Sequence, residues 1–305
     1  MKVAGIVITY NDGYKFSEWC RWYEEYKNVL YQLIIVDNGS APEYIRQVED
    51  YFKDAIIIKR STNGGCTSAY NDGIRKALED PSVTHIALIG NDIRLQPGSL
   101  EKCVDLLDSD ERLGMVAPVL LYADSDLVAD YGDSVSDRLS LIEFGIGKRL
   151  DEIPERWRYC EAVTGGMNIS KRSLYESAVG LQDEKLFMYS DEVDMALRAK
   201  KAGVKMAATK EALAWHQHIN PKSSKRRHPY SQYLIARNKV YLGGKHFGPM
   251  RKLRIFGYFL WTGVGANIKC LVTFKWDQLV YSRWSICGAV NGLVGNMKEN
   301  RFSKI

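Results

Sequence analysis

VAGIVITYND, residues 3–12, runs six small and branched apolar residues straight into a polar turn. That length and β-branched content predict a buried strand delivering Thr9, Tyr10, Asn11 and Asp12 to its carboxyl end. The stretch has one lysine before it and no small-residue cleavage site, so it reads as a first strand and not as a signal peptide.

The same grammar repeats downstream. YQLIIVD (31–37), AIIIKR (55–60), HIALIG (85–90) and GMVAPVLL (114–121) are strands by the same criteria. Between the first two, Trp19, Trp22, Tyr23 and Tyr26 fall at i, i+3, i+4 and i+7, a helical stripe that belongs to a core. After VDN, Ser40 as N-cap with Glu43 three residues on and Pro42 in the first turn predict a capping box. Strand and helix in alternation predict an α/β fold whose mostly parallel sheet is flanked by helices. Ligands of such sheets bind beyond the carboxyl ends of the strands. Here those ends carry TYND, DNGS, STNGG and GNDI, whose hydroxyls, amides, carboxylates and glycines suit a nucleotide.

Past this half the pattern weakens. Residues 122–158 read as an irregular excursion with a hairpin around SLIEFGIG, followed by a strand EAVT (161–164) and a segment GGMNISKRSLYESAVG that ends helical. After ALAWHQH, a basic loop NPKSSKRRHPYS leads to a helical C-terminal region.

The 305 residues, 46% apolar, are enough for a full core. The net charge of +5 is unevenly spread: residues 221–305 hold 16 Lys and Arg against 2 acids, whereas residues 1–220 hold 26 against 35. That asymmetry suggests an anionic partner at the C-terminal end, whether phosphate, nucleic acid or a membrane surface, or else a solvated basic face. Six scattered cysteines without a C-x-x-C pair exclude a zinc cluster and a disulfide scaffold and fit a reducing compartment. Two uncharged runs, 255–268 and 284–297, are each 14 residues, shorter than a bilayer span. They suit helices lying in a membrane interface or buried in the core.

Asp92, after Gly90 and Asn91 at a strand end, suits a divalent cation whose shell substrate phosphates complete, or caps its own turn. Asp37 and Asn38 suit a base or ribose edge, or again a turn. Gly64 and Gly65 open a helix that also contains Gly73, where a close backbone approach explains a residue otherwise costly in mid-helix. Their spacing matches neither G-x-G-x-x-G nor a P-loop, which disfavours a nicotinamide enzyme and a P-loop kinase. His216 and His218 of WHQH share one side of an extended chain, and the adjoining KSSKRR suits phosphate. In YSDEVDMALRAKKAG (189–203), projection at about 100° per residue puts Asp191, Asp194, Arg198 and Lys201 on one charged face. There Asp194 and Arg198 read as a surface i, i+4 pair. Glu192 falls among Met195, Ala196 and Ala199, where apolar surroundings raise a carboxyl pKa toward that of a general base.

Taken together, IVITYND, LIIVDNGS, NGGCTSAYNDGI, IALIGNDIRLQPGSL, GMVAPVLL, VTGGMNISKRSLYESAVGLQDEKLFMYSDEVDMALRAKKAG and YLIARNKVYL, in this order, resemble the family 2 glycosyltransferases of GT-A fold. The likeness covers roughly residues 3–242 and is strongest to the bacterial branch that builds O-antigen and other surface polysaccharides, rhamnosyltransferases included. It implies a glycosyltransferase domain over 1–242, with a nucleotide-binding half (1–120), an acceptor and catalytic half (121–220) and a basic loop and helix (221–242). Residues 243–305 form a basic, aromatic extension suited to the anionic inner face of a membrane. The implied reaction is inverting transfer from a UDP- or dTDP-sugar to a hydroxyl of a glycan or lipid-linked acceptor, in the cytoplasm, with Mn2+ or Mg2+ holding the diphosphate. No nucleic acid partner is implied.

Carried over by position, Thr9, Tyr10, Asn11, Asp37 and Asn38 line the nucleoside pocket, and Asn63, Gly65, Asn71 and Asn91 lie beside ribose and phosphates. Asp92 matches the last acid of the D-x-D metal motif and His216 the histidine that completes the shell. Gly165 and Gly166 match the small-residue loop under the sugar, and Arg237 and Asn238 approach the diphosphate. Two departures stand out: the first acid of D-x-D is Gly90, and the usual EDVD is DEVD, so that Glu192 holds the base position with Asp191 as runner-up. Two rival readings are a non-catalytic module that binds sugar nucleotides or glycans, and a nucleotidyltransferase. The second lacks a glycine and arginine loop for a triphosphate near the first strand.

Overall fold

The structure is a computed structural model that describes residues 1–217 and 228–298. The loop KSSKRR and His218 lie outside the described residues.

The first half alternates as its sequence predicts. Strands β1 (Val3–Thr9), β2 (Leu30–Asp37), β3 (Ile56–Lys59) and β4 (His85–Ile89) are separated by helices α1 (Phe16–Tyr26), α2 (Pro42–Tyr51) and α3 (Cys66–Leu78). A short β5 (Ile93–Leu95), helix α4 (Ser99–Ser109) and the wholly buried β6 (Leu113–Tyr122) follow. The excursion contributes β7 (Val128–Asp130) and a hairpin of β8 (Asp133–Val135) with β9 (Leu141–Glu143). The chain returns through β10 (Trp157–Cys160), β11 (Met167–Lys171), α5 (Arg172–Glu176), α6 (Asp191–Lys201) and β12 (Lys205–His216). Helices α7 (Pro229–Phe247), α8 (Pro249–Val272) and α9 (Leu279–Val294) pack on one another at the end of the described chain.

The main sheet runs β10-β12-β6-β11-β4-β1-β2-β3, with β5 beside β12 and β7 beside β6. β1 pairs in parallel with β2 and β4, β2 with β3, and β12 with β6, while β11 is antiparallel between β4 and β6. Apolar residues cover both faces. Trp19, Tyr26 and residues of α2 and α4 fill one side; Ala69, Ile74, Tyr175, Met195 and Ala199 fill the other. Gly73 sits where α3 presses on β1, since a Cβ there would meet Ile6 Cγ2 at 2.5 Å. A methyl group at 73 would push the helix off the sheet.

Three local expectations are corrected. Residues 161–164 are not a strand: Ala162 makes a single bridge to Asp133, and the flanking residues enter the sheet instead as β10 and β11. The pair Gly165-Gly166 that follows gives no side chains to pack, so pairing resumes only at Met167. The N-cap of α2 is Ala41, not Ser40, whose Oγ instead accepts the Asn11 backbone N–H at 2.9 Å. The uncharged run 255–268 is the middle of a 24-residue helix, α8, long and apolar enough by composition to cross a membrane, yet mostly exposed here. The second run belongs to α9, whose Gly288, Ala289 and Gly292 are buried against α7.

Candidate active site

The carboxyl ends of β1, β2 and β3 surround a cleft of about 450 Å³. Thr9, Tyr10, Asn38 and Asn63 line it with Asp12 of the same TYND loop, together with Tyr14, Cys66, Phe187, Met188 and Tyr230, which the sequence reading did not single out. The aromatic rings of Tyr10, Tyr14, Phe187 and Tyr230 give a planar base faces to stack on. Two amides knit the rim: Asn38 Nδ2 donates to Asn63 Oδ1 at 2.9 Å, and Asn38 Oδ1 accepts the Gly64 N–H at 3.1 Å. Gly65 has φ +85°, and a Cβ there would lie 2.3 Å from Phe187 O, so glycine lets the loop after β3 touch the segment before α6.

Other predicted residues serve the walls. Asp37 is buried and accepts the Ser40 N–H at 3.1 Å, closing its own turn. Asn11 Oδ1 accepts the Ala41 N–H at 2.9 Å, tying the first loop to the start of α2. Asn71 exchanges two bonds of 2.9 Å with the Gln182 backbone and donates a third to Glu184. Asn91 Nδ2 donates to Asp12 Oδ2 at 2.7 Å and reaches Thr9 Oγ1 at 3.4 Å, so β4 and β1 end on one buried polar cluster.

Antiparallel pairing of β5 with β12 sets His216 across from Ile93 and so beside Asp92. Asp92 Oδ2 lies 3.2 Å from His216 Nε2. Lys15, only 7% exposed, places Nζ 3.2 Å from Asp12 Oδ1 and 3.7 Å from Asp92 Oδ2. One carboxylate and one imidazole fit a divalent cation whose remaining ligands are phosphate oxygens and water. Among the described residues no three His, Cys, Asp or Glu side chains converge into a self-sufficient metal site. At Gly90 a Cβ would come within 2.9 Å of Asp92 Oδ1, so this position is filled by its neighbour's carboxylate.

The acid pair lies in a separate enclosure. Asp191 and Glu192 open α6 and share a small enclosure with Tyr70, Val163, Gly165, Asn168 and Met195. Gly165 is required by contact, because a Cβ would lie 2.6 Å from Glu192 Oε1. Burial drives both carboxyls above the ordinary range, Asp191 furthest, with the Glu192 charge adding to it. Their contact raises Asp191 and lowers Glu192, so of the two coupled carboxyls Asp191 is pushed up the further. Two further acids, the half-buried Asp130 and the buried Asp133, are pushed up to about 6 and about 8, chiefly by loss of solvent, with the Glu143 charge raising both and the Asp130 charge also raising Asp133; both add to the rise at Glu192. They were not singled out in the sequence, where they sit in an irregular turn-rich stretch.

The segment entering α6 is strained. Phe187, Tyr189 and Ser190 all have positive φ, at 64°, 68° and 64°, each costing on the order of 1 kcal/mol or more in a non-glycine residue. Arg237 and Asn238 hold it: Asn238 Nδ2 reaches the Leu186, Met188 and Tyr189 carbonyls at 3.0, 2.9 and 2.8 Å, and Arg237 Nη2 donates to Leu186 O at 2.9 Å. Both are fully buried in α7 and neither lines the cleft. Asp194, read from the sequence as a surface acid paired with Arg198, is paired with it but has no exposure. It also accepts from Lys245 and His246, both at 2.7 Å. That bond set joins the helix of the acid pair to the end of α7.

These loops match a known profile. The sequence profile described as "Glycosyl transferase family 2" aligns with residues 6–167, more than half of the chain. The N-acetylglucosaminyl-diphospho-decaprenol L-rhamnosyltransferase of Mycobacterium tuberculosis is 24% identical over 241 residues, 71% of this chain and 76% of the relative. Among solved structures, GalNAc-T7 with UDP, GalNAc and Mn2+ superposes with TM-score 0.62 at 13% identity. That match covers 79% of this chain and 47% of GalNAc-T7, about half its length. The S. aureus TarS 1–349 structure (TM-score 0.56, 12% identity) covers 97% of this chain and 82% of its own. The Pyrobaculum calidifontis mannosyltransferase PcManGT with GDP-Man and Mn2+ (TM-score 0.56, 15% identity) covers 96% and 87%. At such identities these structures attest a common GT-A architecture. The profile, running through the loops after β1, β2, β3 and β4 and on to the Gly165-Gly166 turn, establishes that the chain belongs to glycosyl transferase family 2.

Proposed function

We propose that this glycosyltransferase moves a sugar, with inversion, from a UDP- or dTDP-sugar to a hydroxyl of a glycan or lipid-linked acceptor in the assembly of a surface polysaccharide. The observation that carries the reading is the Asp191–Glu192 pair at the start of α6: two carboxyls in one small enclosure, with Glu192 packed on Gly165 and also lining a second cleft. Glu192 takes the acceptor hydroxyl proton as that oxygen bonds to the anomeric carbon, while the bond from that carbon to the diphosphate oxygen breaks. Lys15 faces the departing charge, which electrostatic stabilisation there lowers in energy. Asp92 and His216 would hold a divalent cation, which when bound supplies Lewis-acid neutralisation of the diphosphate. The mycobacterial relative, named for a lipid-linked substrate and for rhamnosyl transfer, supports a lipid-linked acceptor and a rhamnosyl or other hexosyl donor.

A donor screen tests this: purified chain, each nucleoside diphosphate sugar, and Mn2+ or chelator, read by thermal shift and by release of nucleoside diphosphate. One donor is expected to stabilise the chain by several degrees in Mn2+, and the Asp92→Ala variant to lose the metal-dependent part. Identical shifts in Mn2+ and chelator would remove the metal from the reading, and release of pyrophosphate from triphosphates would replace the reaction.

Helix α8 supports action at a membrane surface. Met250, Leu253, Leu260, Trp261, Val264 and Ile268 are all at least 40% exposed and fall within a sector of about 120° at 100° per residue. Arg254 and Lys269 are exposed at the rim of that stripe, the pattern of a helix lying in an anionic interface. The Trp261→Glu/Val264→Glu double variant is expected to reduce co-sedimentation with phosphatidylglycerol vesicles at least about tenfold while keeping the fold. Undiminished binding would refute the α8 surface.

A further inference from the structure

The enclosure of the acid pair holds two further acceptors that no described residue satisfies. β11 alternates across the sheet, with Met167 and Ile169 in one core and Asn168 turned to the other, among Leu88, Met115, Met195 and Met206. Asn168 is only 4% exposed; its Nδ2 donates to Thr164 O at 3.1 Å, whereas its Oδ1 accepts from no group of the described residues. Gln182 lines the same space, and its Oε1 is likewise buried and unpaired. Asn71 pins it there: the Gln182 N–H donates to Asn71 Oδ1 and Asn71 Nδ2 donates to Gln182 O, both at 2.9 Å. A buried acceptor without a donor destabilises a fold, and two that line one space call for a shared donor.

The volume selects the donor. The enclosure has about 30 Å³, room for a water and well below the roughly 300 Å³ at which small-molecule sites begin. Resting on the transfer reading above, we propose that Asn168 and Gln182 are positioning residues of the acid pair, acting through one water that the enclosure binds. The water donates one hydrogen to Asn168 Oδ1 and the other to Gln182 Oε1, since an amide oxygen only accepts. Its lone pairs are then what faces Asp191 and Glu192, so it takes a hydrogen bond from a carboxyl that carries a proton and gives none to a bare carboxylate. The pair is thereby held with one proton on the carboxyl that meets the water, and the other carboxyl is left to receive the proton of the acceptor hydroxyl. Asn71, expected beside the ribose, acts on this wall through Gln182.

A crystal structure of the wild-type chain tests the site with no variant and no substrate. Density for a water within about 3.2 Å of both Asn168 Oδ1 and Gln182 Oε1 is expected, and an enclosure without it overturns the proposal. Gln182→Met, similar in length but lacking the acceptor, should lose that density and lower kcat at least about tenfold, with KM for donor and acceptor within about threefold. Asn168→Leu should do the same. A rise in KM at constant kcat would make these amides substrate contacts, and an unchanged kcat in a variant that has lost the water would make the water a filler of space; either result overturns the positioning role. Absence of transfer by the wild type from every donor of the screen defeats the parent reading, whereas the density decides the water site on its own.

Discussion

Glu192→Gln is expected to lower sugar transfer about 10³-fold, a loss of roughly 4 kcal/mol in transition-state stabilisation, while donor affinity stays within about twofold. Glutamine keeps the shape that packs on Gly165 but accepts no proton, so the loss belongs to the chemical step. The partner acid separates two roles. Asp191→Asn still offers a hydrogen-bond donor to Glu192 and should cost less than about tenfold. Asp191→Ala removes the bond that favours the ionised Glu192, so the Glu192 pKa rises further. The sign follows: transfer needs the carboxylate, activity falls as pH drops through the raised Glu192 pKa, and that acid limb moves to higher pH in Asp191→Ala and stays in place in Asp191→Asn. Pre-steady-state rates against pH check all three. Full turnover in Glu192→Gln with a dead Asp191→Asn would exchange the two acids.

Much of this was legible in the sequence because its signals are local. Each strand of the first half is a short apolar run ending in a polar loop, and a parallel sheet necessarily collects those loops at one edge; Thr9, Tyr10, Asn38 and Asn63 follow from that rule alone. Glu192 emerged from helical angle, since its neighbours at i+3, i+4 and i+7 are small or apolar. What stayed hidden depends on tertiary partners. Lys15 looks like any polar turn residue until β1 and β4 bring Asp12 and Asp92 around its ammonium. Arg237 and Asn238 were assigned to the diphosphate by position from the family resemblance, but burial within α7 turns them onto the carbonyls of a strained loop about 50 residues away. Phe187 and Tyr230 carry no motif; they reach the cleft only because α6 and α7 pack beside it.

Asp194 shows the same limit most sharply and carries the largest expected effect on stability. A 100° projection pairs it with Arg198 and stops there, since Lys245 and His246 are 51 and 52 residues distant. Burial by itself would raise this carboxyl, but His246, Arg198 and Lys245 override burial and hold it down at about 2. Asp194→Ala leaves Arg198 partly buried without this anion and Lys245 with Asp183 alone, and is expected to cost about 3 kcal/mol, a fall in Tm of several degrees. The acid dependence carries its own sign. A depressed folded-state pKa contributes stability that is present above the unfolded value near 4 and is lost as pH falls toward 2, about 2 kcal/mol over that window. Denaturant titrations between pH 5 and pH 2 should therefore fall more steeply for the wild type than for Asp194→Ala. Parallel slopes, or an unshifted midpoint at pH 7, would mean that α6 is held by apolar packing alone. Because α6 also presents Glu192, the same variant should lose transfer well below its melting temperature if the bond set positions the base, and keep it if the helix is placed only by its apolar face.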